Sequence, residues 1–236
     1  MLWALAIAID YGSTRIGQPT PGLGRTDLTS RIFTAPHLTE RHRQIVVVAF
    51  GELVLSSTIG LASSDFTASQ IGVFALSLGS AVLLFHLYLE QIRSMQQPEV
   101  AVKIEIVEPG TFASYCHLAM VAGVICISAG VRIIASHPVA QVPLIRTLII
   151  LAGAALFLFG IFLFDRSVTG RFRRVPAVAA LAALAATPAV YLLPAWTIML
   201  AVDMVLLLSW IVQELIKRFR PGGQIGPASS SRSGAR

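Results

Sequence analysis

Residues 143–164 are PLIRTLIILAGAALFLFGIFLF, an apolar stretch in which Arg146 is the only charged residue. A helix that crosses a bilayer needs about 20 predominantly apolar residues, so this stretch has the length of one crossing. Alternation of apolar and polar residues, which is typical of a membrane strand, is absent from it. Because backbone groups in lipid must be hydrogen-bonded within the protein, the stretch predicts a transmembrane helix.

Similar apolar runs recur along the chain. Hydrophobic residues make up 55% of the sequence and charged residues 13%, against about 25% charged in soluble domains. We therefore predict an all-α fold, a polytopic transmembrane helical bundle over residues 1–216 with about six complete spans and a partial N-terminal helix. The partial helix covers 1–10, and the spans lie near 43–61, 68–89, 112–135, 143–164, 175–193 and 196–216.

The fifth predicted span is crowded with alanine between Ala177 and Ala186. Small side chains allow the backbones of membrane helices to approach closely. This composition predicts a position inside the bundle for the fifth span.

Basic residues occur in every second connecting segment. The segments after the first span and at Pro194 contain none, and the segment after the third is only flanked by Arg132 and Arg146. Cytoplasmic segments of membrane proteins are enriched in Lys and Arg, so we expect a cell-membrane protein with a cytoplasmic C-terminus. The basic residues of the remaining segments are Arg15, Arg25, Arg31, Arg41 and Arg43, then Arg93 and Lys103, then Arg166, Arg171, Arg173 and Arg174, then Lys217, Arg218 and Arg220.

The final residues, 217–236, begin with basic side chains and continue as a Gly/Ser/Pro-rich sequence. Such a segment has too few apolar residues to fold, so we expect a disordered cytoplasmic tail. The net charge of the whole chain is +6. Because its basic residues flank apolar spans, we expect contact with anionic membrane lipid and not with nucleic acid.

Glu52 lies in the middle of the first complete span, within VVVAFGELVLSS of residues 46–57. A carboxylate at that depth costs on the order of several kcal/mol unless it is paired, hydrated or protonated. Helical spacing places Arg41, Glu52 and Ser56 on one face. The pattern is typical of a site for a proton, an ion or a small solute, with a buried hydrogen bond that joins two helices as the alternative. We expect Glu52 to carry a proton unless another helix brings a basic group to it.

Further ionisable residues lie inside or at the ends of the spans. His117 opens the third span, and His86 and Glu90 share one face at the end of the second. These three are candidate partners of Glu52 and Ser56, while Glu40, Arg41 and His42 are candidates for a cytoplasmic vestibule. Arg132 and Asp203 are a candidate structural pair on the outer side. Recognisable catalytic, metal-ligand or cofactor motifs are absent, so we expect no cofactor.

Three motifs resemble those of the bacterial low temperature requirement A family. Residues 37–54, HLTERHRQIVVVAFGELV, are similar to the family's E-R-[HF] motif and the apolar run ending in G-E-[SL] that follows it. LYLE at 87–90 resembles its L-Y-F-D helix end, and YCHLAMVAG at 115–123 its Y-x-H-x-P-[LM]-V-x-G helix. The resemblance covers roughly 3–215, and the motif positions it singles out are Glu40, Arg41, Glu52, Glu90 and His117.

The chain lacks the E-L-F-F-D-L-x-F-V-like segment that opens further N-terminal helices in this family. We therefore expect the sequence to begin inside the family's architecture, as a truncated gene, a mis-assigned start or a native short form. An oligomer or a partner would then supply the missing helices.

Three functions are consistent with the sequence. The first is transport or conduction of protons, ions or a small solute around Glu52. The second is an intramembrane enzyme acting on lipid, with Glu52 and His117 as an acid/base pair. The third is a membrane scaffold or remnant without chemistry.

Overall fold

The computed structural model describes residues 35–95, 111–166 and 172–219, together with the isolated positions 5, 6 and 9. The chain divides into two compact units, residues 1–41 and 42–236. In the first unit, Leu5, Ala6 and Ile9 are helical. The rest of the predicted partial helix 1–10, and the predicted tail beyond residue 219, lie outside the described residues.

The structure confirms the all-α prediction. The described residues form six helices, five of which are long and apolar enough to cross a membrane. The last helix continues three residues into the predicted tail before it ends at Phe219. The helices are α1 (Ala35–Ala62), α2 (Ala68–Met95), α3 (Thr111–Ser136), α4 (Leu144–Phe164), α5 (Arg174–Val190) and α6 (Trp196–Phe219).

Helix α5 is shorter than the predicted fifth span. It has 17 residues, which give about 26 Å at a rise of about 1.5 Å per residue. This length is at the lower limit of about 17 residues for a crossing. Pro188 lies inside the helix near its end, where it removes one backbone hydrogen bond to the preceding turn. The helix ends at Val190, whereas the predicted span runs to 193.

The most buried of the five long helices is α4, and the alanine-rich α5 is buried along one face only. Helix α4 packs against α3 and α5 and also contacts α6. In α5 a single stripe is buried, while Val178 and Leu181 are exposed by 62% and 67%. Small residues therefore permit close packing along one stripe of α5 but leave its opposite face uncovered.

Glycines allow α3 and α4 to approach closely. A Cβ atom added at Gly123 would lie 2.5 Å from the carbonyl oxygen of Gly153, and one at Gly153 would lie 2.8 Å from the Cβ of Cys126. Both distances are shorter than a van der Waals contact. The close packing of these two helices therefore depends on the absence of a side chain at Gly123 and Gly153.

The turn after α3 and the turn before α6 meet at one end of the bundle. Gln141 and Pro194 form an isolated β-bridge. The backbone N–H of Ala195 donates to the carbonyl of Ala140, and that of Trp196 donates to the carbonyl of Pro138. These bonds place the end of α3 and the start of α6 side by side.

From His42 onward, α1 lies against α2 and α3. The ring of Phe50 makes edge contacts with Phe85 and Tyr88 of α2, at centroid distances of 5.6 and 6.4 Å. Ser56 bonds to Ser128 of α3. The opposite side of α1 is exposed and apolar, with Val48 exposed by 73% and Leu55 by 52%. Helix α1 therefore carries its polar residues at the border between a buried and an exposed surface.

Candidate functional site

Two histidines from different helices stack inside the bundle. The rings of His42 on α1 and His117 on α3 have centroids 4.5 Å apart and planes inclined by 13°. His42 is 9% exposed and His117 is 3% exposed. The rings of Tyr88 of α2 and Phe164 of α4 lie perpendicular to that of His117, at centroid distances of 5.9 and 5.4 Å. Four helices therefore enclose the pair.

We refer to these four side chains and Ser114 as the histidine cluster. The Nε2 atom of His42 lies 3.0 Å from the hydroxyl oxygen of Ser114. Depending on the tautomer, His42 donates or accepts this hydrogen bond. Protonating both rings would place two positive charges in contact within a low-dielectric interior, which is unfavourable. The stacked pair can therefore hold one extra proton more readily than two.

Sequence analysis assigned His117 and His42 to separate groups, the first to a site within the spans and the second to a vestibule. Periodicity places residues on a helix face but does not show which faces meet. Tyr88 was not among the predicted site residues, and neither was the contact of Ser114 with His42. Tyr88 lies inside the LYLE motif at 87–90, and Ser114 directly precedes the YCHLAMVAG motif at 115–123. These two motifs are the sequence signal that could have identified the residues.

Buried polar groups also lie next to the cluster residues in sequence. Gln91 on α2 is 1% exposed, and so is Asp165, which directly follows Phe164 at the end of α4. The Oδ2 atom of Asp165 lies 3.6 Å from a guanidinium nitrogen of Arg173. Sequence analysis did not identify Asp165 because it stands among the charges that follow an apolar run.

Glu52 is an exposed residue of α1. Its Oε1 atom accepts a hydrogen bond from the hydroxyl of Ser56 at 2.9 Å. The hydroxyl of Ser128 donates to the Ser56 oxygen at 3.0 Å and also approaches the backbone carbonyl of Glu52 at 3.3 Å. We call Glu52, Ser56 and Ser128 the serine–glutamate group. The hydroxyls of Ser56 and Ser128 join α1 to α3, whereas the carboxylate of Glu52 bonds to Ser56 within α1.

The structure does not bring Glu52 together with His117, His86 or Glu90. Ten residues of helix separate His42 from Glu52, which is about 15 Å along the axis. An acid/base pair of Glu52 and His117 is therefore not assembled. The histidine cluster and the serine–glutamate group nevertheless lie along the same interface between α1 and α3.

Glu90 forms an ion pair that sequence analysis did not expect. The Nζ atom of Lys217, at the end of α6, lies 2.9 Å from its Oε1, and the Nε2 atom of His86 lies 3.6 Å from the same oxygen. Lys217 also lies 3.3 Å from Glu214. The predicted pairing of His86 with Glu90 on one face is present, and Lys217 joins it because α6 continues beyond the predicted span.

The structure does not join Arg132 and Asp203. Asp203 on α6 is 7% exposed, and its Oδ1 atom accepts a hydrogen bond of 2.5 Å from the hydroxyl of Ser80 on α2. Arg132 on α3 is exposed. Because α6 packs along α2, the partner of Asp203 is a serine on that helix and not an arginine on α3.

The remaining candidate residues are exposed or buried separately. Glu40 and Arg41 are exposed and belong to the first unit, residues 1–41. His42 is buried in the histidine cluster. Within residues 35–95, 111–166 and 172–219, groups of three or more His, Cys, Asp or Glu side chains that could hold a metal ion are absent.

The chain has a related protein and a family match, while no solved structure matches it. An uncharacterized protein of Rhizobium meliloti (strain 1021) is 26% identical over 162 residues, which are 68% of this chain and 39% of the relative. The matched region therefore spans well under half of that relative. Residues 1–211 match the family of the bacterial low temperature requirement A protein (LtrA), and the chain therefore belongs to this family of multi-pass membrane proteins.

Proposed function

We propose that this protein is a transport-type membrane protein that moves protons, ions or a small solute, and that the pair of His42 and His117 carries the proton. The observation that supports this function is the stacking of two buried imidazoles where four helices meet. A purely structural contact would not require two titratable rings. Because the pair holds one proton more readily than two, the arrival of a second proton favours release of the first. The pair can therefore relay protons.

In this proposal the proton also passes through the serine–glutamate group. Glu52 has a carboxylate, and Ser56 and Ser128 have hydroxyls that both donate and accept hydrogen bonds. Buried apolar side chains of α1 and α3 lie between the two groups, among them Leu53 and Val124. Water must therefore enter between α1 and α3 for a proton to pass from one group to the other.

Proteoliposomes with a pH-sensitive dye inside test this function. An imposed pH gradient or membrane potential should drive proton flux through the parent protein. Because an amide cannot relay a proton, His42→Gln and His117→Gln should each lower the flux by about tenfold or more, and Glu52→Gln should lower it as well. Correct assembly of each variant is checked by size-exclusion chromatography before reconstitution.

The matched control is His137→Gln, because His137 is an exposed histidine in the turn after α3 and lies outside the histidine cluster. This variant should conduct like the parent. The proposal is wrong if the parent carries no proton, ion or solute flux, or if the cluster variants conduct like the His137→Gln control.

The orientation follows the distribution of basic residues. We propose that the turns at Gln141 and Pro194 face the outside and that the histidine cluster, Lys217 and the C-terminus face the cytoplasm. Arg166, Arg173 and Arg174 then lie on the cytoplasmic side, in agreement with the enrichment of basic residues there.

The proposed partners are membrane lipid and either an oligomer or another protein that covers α1. Glu52 is exposed at the edge of the apolar face of α1 that contains Val48 and Leu55. A carboxylate that faces acyl chains is costly, and this exposure therefore supports a covering partner. For the lipid-acting enzyme the geometry gives less support, since Tyr88 and Phe164 cover His117 and Glu52 lies about 15 Å away along the helix.

A further inference from the structure

A surface patch at the junction of α4 and α5 combines aromatic rings with two cations. Phe159 and Phe162 of α4 stack at a centroid distance of 6.1 Å, and Phe162 meets the edge of Phe172 at 5.8 Å. The guanidinium carbons of Arg166 and Arg174 each lie 5.3 Å from the centroid of Phe172. We call these five residues the arginine–phenylalanine patch.

The two arginines of the patch have no acidic partner among the described residues. Arg173, which lies between Phe172 and Arg174, is the one that approaches a carboxylate, at 3.6 Å from Asp165. Arg166 and Arg174 are exposed and are held against the ring of Phe172 by cation–π contacts. Their charges are therefore available to an external anion.

The aromatic part of the patch is open to the surroundings and begins inside the predicted fourth span. Phe159 is exposed by 43% and Phe172 by 54%. Phe159 precedes Arg166 by seven residues, which places it about 10 Å further into the predicted span. The patch thus runs from rings within the apolar layer to cations at its boundary.

This arrangement matches the amphipathic order of a phospholipid. A guanidinium can form two parallel hydrogen bonds to phosphate oxygens, and its planar group keeps its charge under all physiological conditions. Since both guanidinium carbons lie 5.3 Å from the same ring centroid, they are at most about 10.6 Å apart. Both guanidiniums therefore lie around the same ring, within one small area of the surface.

We propose that the arginine–phenylalanine patch binds an anionic phospholipid, with the headgroup phosphate at Arg166 and Arg174 and an acyl chain along Phe159 and Phe162. The helix start at Arg174 has no side-chain cap, and its dipole adds to the positive potential at the phosphate. Charge complementarity and the order of apolar and cationic groups support a lipid as the occupant. The proposal goes beyond transport and does not depend on it.

Native mass spectrometry of the full chain in detergent, titrated with phosphatidylglycerol, tests the site. The double variant Arg166→Gln/Arg174→Gln should bind on the order of tenfold more weakly than the parent, because each basic residue near the surface contributes to binding an anionic lipid. Phe172→Leu should also weaken binding, since it keeps an apolar side chain but releases both guanidiniums. Arg166→Lys/Arg174→Lys keeps the charge and should retain part of the affinity.

The matched control is Arg132→Gln/Arg146→Gln, which removes two exposed arginines at the other end of α3 and α4. This control should bind phosphatidylglycerol like the parent. Equal binding by the two double-glutamine variants would overturn the proposal. Equal binding of phosphatidylcholine, or full displacement of the lipid by millimolar inorganic phosphate, would also overturn it, since the second result shows a phosphate site and not a lipid site. Thermal unfolding checks that each variant is folded.

Discussion

The imidazole ring of His42 on α1 lies parallel to that of His117 on α3, with 4.5 Å between the centroids. The rings of Tyr88 and Phe164 are perpendicular to that of His117, at interplanar angles of 89° and 90°. Edge-on and offset stacked contacts are the favourable arrangements of aromatic rings. The pair therefore contributes to helix packing as well as offering titratable nitrogens.

The first prediction concerns the packing role of His117. Its ring is 3% exposed, so His117→Ala leaves a cavity among three aromatic side chains. We expect the free energy of unfolding to fall by about 2–4 kcal/mol, the range for truncating a large buried side chain. Scanning fluorimetry in detergent measures the change. His137→Ala, in an exposed turn, should change stability by less than about 0.5 kcal/mol, and an equal effect of the two variants would contradict the buried position.

The second prediction concerns the glycines between α3 and α4. Gly123→Ala and Gly153→Ala each place a Cβ atom within 2.8 Å of the facing helix, so both should destabilise the protein by about 1–3 kcal/mol through overpacking. Gly51→Ala and Gly72→Ala are the controls, because a Cβ atom there meets nothing within 4 Å. These controls should be neutral or up to about 1 kcal/mol more stable, since alanine favours helix over glycine. A uniform effect at all four glycines would be inconsistent with the close approach.

Much of the fold was predictable because bilayer length and charge mark the ends of helices. The apolar run 143–164 corresponds to α4, Leu144–Phe164, almost residue for residue. The prediction was less accurate at α5, which ends at Val190 and not at 193. Alanine content also did not show that α5 has an exposed face, since which face meets a neighbour depends on the other helices.

The site was less predictable because it depends on contacts between helices. Asp203 was assigned a partner by depth alone, and depth does not distinguish Ser80 of α2 from Arg132 of α3. Likewise, the spacing of His117 gave no information about His42 on another helix. Residue type and depth therefore predicted the candidate side chains, whereas the order of the helices in the bundle decided their partners.

The third prediction concerns Ser80 and Asp203. Ser80→Ala removes the hydrogen bond that reaches Asp203 and leaves a buried carboxyl oxygen unsatisfied, which should cost about 1–3 kcal/mol of unfolding free energy. Ser77→Ala is the control: Ser77 is equally buried, but its hydroxyl bonds to the carbonyl of Phe74 in its own helix. Its loss should cost less, and in an Asp203→Leu background Ser80→Ala should lose most of its effect. Additive changes in this double-mutant cycle would disprove the coupling.

The fourth prediction separates folding from function at Glu52. The Oε1 atom of Glu52 accepts a hydrogen bond from Ser56, and the amide oxygen of glutamine can accept the same bond. Glu52→Gln should therefore assemble and unfold like the parent while lowering proton flux. Glu52→Leu is the comparison, because it removes the acceptor. Failure of the purified Glu52→Gln protein to assemble would show that a charged glutamate is needed for the fold.

The last prediction concerns the orientation of the bundle. Single cysteines are introduced at Ser64, Ser136 or Ser229 after replacement of the two native cysteines, Cys116 and Cys126. Ser64 follows α1, and Ser136 ends α3 next to the turn that meets the start of α6, so both positions belong to connections that lack Lys and Arg. Because such connections are typical of the outer side, an impermeant thiol reagent applied to intact cells should label the cysteines at Ser64 and Ser136. The cysteine at Ser229 should stay unlabelled until the cells are opened.

Labelling after lysis at all three positions is the control for accessibility. The reverse pattern would place the histidine cluster, Lys217 and the arginine–phenylalanine patch on the outside, and the proton would then enter the cluster from the opposite side of the membrane.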